Sequence, residues 1–499
     1  MKILIIAYYY PPINTGGTLR PLKWAQYLPQ WGHEVTILTH TYNKTKTEPG
    51  PPQIIRFRDI TFNKGRSNFY KKGVGDPNLF TVRQMPFFRG FISKACFFCK
   101  LLQDINKKCQ WLILRSFTEI LNILGIYHSI YTWWKRKVIK NSETIIQWVQ
   151  PDIIIATYPP VETLEIGLHF SKKYNIPLIT DFRDGLMFEP IEIKRINQYR
   201  CIRKRYKEIE TEAAGQSTAI TTVSQPIMDY YEKIYHPEHS AVITNAFDPE
   251  DINEKLLRGE LDQWAGGSVG QWVGSMIGKR SNESLDKMPR LKPETNENQH
   301  KRFAQHIGSP RRGDFNIVFT GRFSLSVRNR RVDFFFDAVR LLLEREKQLE
   351  NKMKIHLVGE YCKEELQGLK DLIARGIVLN HGLVERSQSL VFQRAADLLL
   401  IITEPERRSM VTAKIFEYLY AGKPILALTY KTVLEDIIKE TKTGWIVHPH
   451  QPEAIADLLG KIISDKEFYH SIQPDGEKIE RYSIKTQVEK LNRLLEKIK

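Results

Sequence analysis

At 499 residues the chain is long enough for two or three domains. With 42% hydrophobic and 26% charged residues, it is neither fibrous nor mostly disordered. Lys and Arg number 74 against 57 Asp and Glu, a net charge of +17. That excess favours an anionic partner without choosing between nucleic acid, a phosphate-bearing substrate and an acidic membrane leaflet. Five cysteines, an odd number with a single CxxC pair at Cys96 and Cys99 and no second one to complete a four-cysteine zinc site, do not make a disulfide framework and fit a reducing cytoplasm.

The opening MKILIIAYYYPP runs straight into a patterned domain, so no secretory leader is expected. Short apolar runs then alternate with amphipathic stretches, the pattern of βα units around a parallel sheet buried on both faces. The runs predict strands over residues 2–10, 34–39, 152–157, 178–181, 219–223 and 241–245. In the second half they predict strands over 316–321, 354–358, 377–379, 398–402, 424–427 and 444–447. Apolar spacing predicts helices over 18–30, 161–173, 226–234, 332–344, 363–375, 414–420 and 453–464. Residues 484–498 read as a basic amphipathic helix that packs back across the domain junction. The fold class is α/β, two Rossmann-like domains in tandem.

Two stretches break the rhythm. Residues 45–145 interleave aromatic and aliphatic residues with Lys and Arg, as in MPFFRGFISKACFFCK and IYTWWKRK, and read as a basic aromatic insertion in the first domain. Its uncharged run over 120–134 is too short to span a bilayer. Residues 256–313 hold GG, SNES, KPETNENQ and SPRRG tracts, read as a mobile inserted loop. The expected domains are therefore 1–250, 314–470 and a C-terminal helical segment over 471–499.

Gly16 and Gly17 follow the first strand and precede a helix, so the backbone there can approach an anion closely; an ordinary turn would look the same. No GxGxxG follows that strand and no GxxxxGK[ST] occurs, which sets aside dinucleotide and P-loop sites of the usual kind. Asp181, Arg183 and Asp184 close the strand of PLITDF, at the sheet edge where α/β proteins bind ligands. They suit sugar hydroxyls or a phosphate, or else brace the loop. Arg322, Arg328, Arg330 and Arg331 sit between a strand and a helix, either facing phosphate oxygens or forming a solvated charge run. Lys414 and Glu417, three residues apart, share a helix face.

The segments GGTLRPLKWAQYLPQWGHEVTILT, PLITDFRD, TTVSQPI, ITNAFDPED, TGRF, AKIFEYLYAGKPIL and TGWIVHPHQPEAIADLL occur in this order. Together they resemble a bacterial family 4 glycosyltransferase of the GT-B fold. The resemblance implies two facing Rossmann-like domains, a nucleotide-sugar donor held mainly by the C-terminal one, an acceptor held mainly by the N-terminal one, and retaining transfer. It implies that Glu417 holds the donor ribose and that Lys414, Arg322 and Arg330 lie near the diphosphate. Gly16 and Gly17 would form the loop facing the leaving phosphate, and Leu383 and Val384 would frame the base. Asp184 is assigned with the catalytic group, and Asp181 and Arg183 with the acceptor. Where the family often has a Glu contacting the donor sugar, this chain has Ser409, with Glu404 and Glu406 nearby as substitutes.

Breaking the sugar–diphosphate bond builds negative charge on the leaving phosphate, which fixed cations and helix N-termini stabilise. No DxD pair occurs, so metal-independent transfer without a cofactor is expected. A nucleotide-sugar epimerase and a noncatalytic nucleotide-sugar binding protein remain as alternatives. The expected partners are a nucleotide-diphosphate sugar, a glycan or lipid-linked acceptor of surface polysaccharide biosynthesis, and an anionic membrane surface; no nucleic-acid module is recognisable. The expected location is the cytoplasm, peripheral on the inner face of the plasma membrane.

Overall fold

The computed structural model describes residues 1–13, 16–41, 52–58, 116, 118–190, 193–251, 314–323, 332–403, 407–409 and 411–499. The loop expected over 256–313 and most of the aromatic insertion lie outside the described residues. The described chain divides into two units, Met1–Asn245 with Ile484–Lys499, and Ala246–Ser483.

The first unit is built on seven parallel strands: β1 (Lys2–Ile6), β2 (Glu34–Thr41), β3 (Gln53–Arg58), β4 (Ile153–Tyr158), β5 (Leu178–Phe182), β6 (Ala219–Thr222) and β7 (Ser240–Val242). Their order across the sheet is β3-β2-β1-β4-β5-β6-β7. Ile3 to Ile6 and Ile153 to Ile155 have no exposed surface, so these strands are apolar on both faces, as a sheet covered by helices on each side requires. The covering helices include α1 (Leu19–Tyr27), α2 (Thr132–Lys140), α3 (Ser142–Val149), α4 (Val161–Tyr174), α5 (Arg200–Gln216) and α6 (Gln225–Tyr235).

The second unit has six parallel strands, β8 (Phe315–Thr320), β9 (Met353–Val358), β10 (Val378–Gly382), β11 (Leu398–Ile402), β12 (Ile425–Leu428) and β13 (Gly444–Val447), in the order β10-β9-β8-β11-β12-β13. Its helices include α7 (Asp333–Arg345), α8 (Arg386–Ala395), α9 (Lys414–Ala421), α10 (Val433–Thr441) and α11 (Pro452–Ser464). The final helix, α12 (Ile484–Ile498), packs its stripe of Val488, Leu491 and Leu495 into the first unit, and Gln487 Oε1 accepts the Thr244 amide at 2.8 Å.

The structure moves several expected boundaries. The first unit ends at Asn245 rather than at residue 250, and residues 471–483 stay with the second unit, so that only α12 returns. The stretch 45–145 is not all insertion. β3 pairs with β2 at the sheet edge, and α2 buries Trp134 and Val138 in the first core. Arg56 and Arg58 disguise β3, because they make an edge strand read as part of the basic stretch. The helix expected over 363–375 is two short ones, Lys363–Gln367 and Lys370–Ala374, interrupted at Gly368. α5 escapes the sequence reading because its apolar stripe is thin, Ile202, Tyr206, Ile209, Ala213 and Ala214 amid charged residues.

Candidate functional site

In both sheets the chain order reverses beside the first strand of the unit, between β1 and β4 and between β8 and β11. Loops leaving the carboxyl ends of those strands diverge to opposite faces and leave a crevice, the usual ligand position in an open α/β sheet. Gly16 and Gly17 leave β1 there, and Gly321 and Arg322 leave β8.

In the first unit one guanidinium organises the loops. Arg183 donates from Nη1 to the Gly17 carbonyl at 2.5 Å, from Nε to Tyr158 at 3.1 Å and from Nη2 to Pro159 at 2.8 Å. Burial pulls its pKa down, while Asp181 and Asp184 beside it hold it up. A Cβ on Gly17 would stand 2.6 Å from Arg183 Nη1, so the close approach of guanidinium and loop requires a glycine. Gly16 is exposed on the same turn.

The expected acceptor contact by Asp181 is corrected. Its carboxylate has no exposed surface and already receives Arg20 Nη2 at 2.7 Å, Arg20 Nε at 3.0 Å, Thr157 Oγ1 at 2.7 Å and Thr221 Oγ1 at 2.8 Å. A buried carboxylate with four donors has no capacity left for a ligand hydroxyl. Arg20 also donates to the carbonyls of Ile243 at 2.5 Å and Thr244 at 3.2 Å, fixing α1 to the chain just before it leaves the unit. Asp184, half-buried, begins the loop after β5.

That loop is anchored by a group the sequence reading does not single out. Glu210 on α5 accepts the Met187 amide at 2.7 Å and the hydroxyls of Tyr230, Tyr231 and Tyr235 at 2.8, 3.2 and 3.1 Å. Glu162, in the first turn of α4, is also buried; it accepts from Ser129 and from the Tyr127 hydroxyl at 3.1 Å. Burial, with Glu165 nearby, pushes its carboxyl up to about 7.

In the second unit Gly321 has a φ of +128°, and a Cβ there would stand 2.5 Å from Lys414 Cε. The lysine chain therefore lies over the end of β8, with its root at the first residue of α9. Arg322, exposed, pairs with Glu360 at 2.5 Å beyond β9. One turn along α9, Glu417 accepts Gln393 Nε2 on Oε2 at 3.1 Å and has Arg386 Nη2 at 3.4 Å from Oε1; Arg386 also pairs with Asp251 at 3.0 Å. Leu383 is 58% exposed just after β10, and Val384 packs onto the cluster around Ile415 and Phe416. Ser409 is buried in the segment after β11. Arg328, Arg330, Arg331, Glu404 and Glu406 lie outside the described residues.

The structure thus brings Lys414, Arg322 and Glu417 to one end of the second sheet, with Leu383 and Val384 on the neighbouring strand's exit. Sequence reasoning misses Arg386 and Gln393 because α8 has three consecutive apolar residues, Leu390 to Phe392, and no clear helical period. Among the described residues no His, Cys, Asp and Glu group is arranged to hold a metal ion.

Residues 314–465 match the family of group 1 glycosyl transferases. No curated protein matches the chain. Among solved structures it is similar to Anabaena HepE, crystallised with UDP and glucose, at 13% identity over 99% of both chains with a TM-score of 0.53. The sucrose-phosphate synthase of Thermosynechococcus elongatus aligns at 12% identity over 99% of this chain and 98% of its own, TM-score 0.55. The UDP-forming α,α-trehalose-phosphate synthase of Burkholderia xenovorans, solved with glucose-6-phosphate, aligns at 10% identity over 99% and 100%, TM-score 0.57. Two doubly wound parallel sheets, aligned end to end with structures of this kind, make the fold GT-B.

Proposed function

We propose that the protein is a retaining glycosyltransferase that moves a sugar from a nucleotide-diphosphate sugar to a glycan or lipid-linked acceptor of surface polysaccharide biosynthesis. The observation that carries this reading is the grouping of Lys414, Arg322 and Glu417 at the carboxyl edge of the second sheet, within the segment matching group 1 glycosyl transferases. Glu417 would take the ribose hydroxyls, and the two cations would face the diphosphate. As the bond from the sugar to the diphosphate breaks, charge grows on the leaving phosphate, and a lysine fixed at a strand end is in place before it forms. Arg322 would exchange Glu360 for phosphate oxygens, an easy exchange because the pair is exposed. Leu383 offers an apolar surface to a base. Ser409 is assigned to the donor-sugar side, Asp184 to the reacting groups and Arg183 with the Gly16–Gly17 turn to the other substrate's side. Transfer is read as metal-independent.

The test is incubation with UDP-, GDP- and ADP-sugars, with and without oligosaccharide and polyprenyl-phosphate-linked acceptors. Acceptor-dependent release of nucleoside diphosphate is expected, unchanged by chelator. Isomerised donor would identify an epimerase instead, and binding without turnover a noncatalytic protein.

A further inference from the structure

We propose that Gln393 is the positioning residue for Glu417, the last link of a hydrogen-bond chain whose direction is fixed by the sheet itself. The inference rests on the reading of Glu417 as the ribose ligand.

The chain can be followed proton by proton. The Tyr418 hydroxyl has one hydrogen, and the Leu400 carbonyl on β11, which can only accept, lies 3.2 Å away. The phenol oxygen already accepts the Thr320 amide at 3.1 Å. With the tyrosine hydrogen directed to Leu400, the 3.2 Å contact between Thr320 Oγ1 and the phenol must have threonine as donor. Thr320 Oγ1 is then an acceptor towards Gln393 Nε2, at 3.3 Å. The other amide hydrogen of Gln393 meets Glu417 Oε2 at 3.1 Å. Burial raises the Tyr418 phenol to about 12, so it stays protonated throughout the working range.

A second observation points the same way. Gln393 is fully buried, and its Oε1 has no hydrogen-bond partner among the described residues. Turning the amide over would not repair this, because Oε1 would then face a carboxylate oxygen and a threonine oxygen whose hydrogen points elsewhere. The fold thus leaves one buried acceptor unmade in order to aim an N–H at Glu417, an arrangement that needs a reason. The result is a carboxylate held by Oε2. Among the described residues its Oε1 has only the long contact to Arg386, itself tied to Asp251, and is the atom open to a ribose hydroxyl.

The experiment uses the full chain and calorimetric titration with UDP, GDP and ADP, then with the 2′-deoxy and 3′-deoxy forms of whichever binds most tightly. A charged hydrogen bond to a hydroxyl predicts that the parent prefers the ribose form by roughly tenfold or more. In Gln393→Met, whose side chain has similar length without the amide, that preference should fall to about twofold while the deoxy forms bind nearly as before. Thr320→Val, which removes only the distal acceptor, should lower the preference in the same direction and serves if Gln393→Met does not fold. A merely structural brace would lower the melting temperature and weaken ribose and deoxy forms equally, overturning the proposal. So would an unchanged preference in folded Gln393→Met, which would leave the nucleotide-sugar reading intact. Failure of the parent to bind any nucleoside diphosphate would overturn both.

Discussion

Residue by residue, the charged groups at the two sheet edges divide by what burial allows. Asp181 and Arg20 are both inaccessible and hold each other through two hydrogen bonds, so neither can be removed without stranding a charge. Asp181→Ala is expected to lower stability by about 3–5 kcal/mol, the cost of leaving one partner of a buried pair alone. The same change at Asp457, in an exposed pair with Arg345 at 2.7 Å, should stay below about 1 kcal/mol. Denaturant midpoints of the two variants compare them directly, and similar shifts would contradict the bracing role. Lys414 stands on the other side of the division. Lys414→Ala should cut turnover by on the order of a hundredfold, as for other leaving-group stabilisers, with little change in melting temperature. Gly321→Ala should do both kinds of damage, because a φ of +128° is strained by about 1–3 kcal/mol for other residues and the new Cβ meets the lysine chain. Sequence alone makes Asp181, Arg183 and Lys414 visible as charges near strand ends. It does not separate brace from ligand, since that depends on partners such as Arg20 and Thr221 that are far away in the chain.

At the scale of elements, strands β8, β9 and β10 are laced together by a polar chain running through the second core. His381 on β10 and His356 on β9 stack with their rings 5.2 Å apart, and His356 Nδ1 lies 3.0 Å from His381 Nε2. On its other side His356 Nε2 meets Asn316 Oδ1 at 3.1 Å, and Asn316 Nδ2 donates to Asp397 Oδ2 at 3.1 Å. With the asparagine oxygen accepting, His356 carries a proton on Nε2, and as a neutral ring it accepts on Nδ1 from His381 Nε2. Burial lowers His356 to about 3, with His381 and Lys354 adding to the effect, and burial lowers His381 to about 4. A depressed histidine pKa contributes stability that is complete above the ordinary value near 6.5 and is lost as the pH falls from there towards 4 and below. The parent's margin in melting temperature over His356→Gln should therefore be largest at pH 7 and shrink steadily to pH 4. A margin independent of pH would mean that folding leaves the histidine pKa values unshifted. The strands of this second sheet are legible in the sequence, and those over 398–402 and 444–447 have the observed limits; for the central strand over 398–402 the reason is that a strand buried on both faces must be a continuous apolar run. What crosses between strands is not legible. Residues 316, 356, 381 and 397 carry no local signal that they meet.

For the molecule as a whole, some of the bases behind the +17 charge lie close to exposed apolar side chains. No helix among the described residues is long and apolar enough to cross a membrane. Yet Ile120, Ile123, Leu124 and Ile126 are each more than half exposed, a few residues before α2 with its Lys135, Arg136, Lys137 and Lys140. The other bases of the stretch, Arg89, Lys94, Lys100, Lys107, Lys108 and Arg115, lie outside the described residues. Apolar side chains entering the headgroup region beside cations attracted to anionic lipid would make a peripheral contact, which a lipid-linked acceptor would require. The four bases of α2 are not equivalent. Lys135 pairs with Glu165 at 2.6 Å, where Arg205 also binds, so it belongs to the packing of α2 on α4 and α5. Arg136 and Lys140 are exposed and free of that constraint. The informative variants are thus Arg136→Gln with Lys140→Gln, and separately Ile123→Ser with Leu124→Ser, both away from the buried faces. Parent protein is expected to sediment with vesicles in proportion to their anionic lipid content, and less as salt rises. Each exposed base near the surface is worth about 1 kcal/mol, so the Gln pair should weaken binding roughly tenfold or more and flatten the salt dependence. The Ser pair should weaken binding while leaving the salt dependence as steep as before. Equal recovery of parent and both variants would move the contact elsewhere on the molecule, and no sedimentation of the parent would overturn the membrane contact.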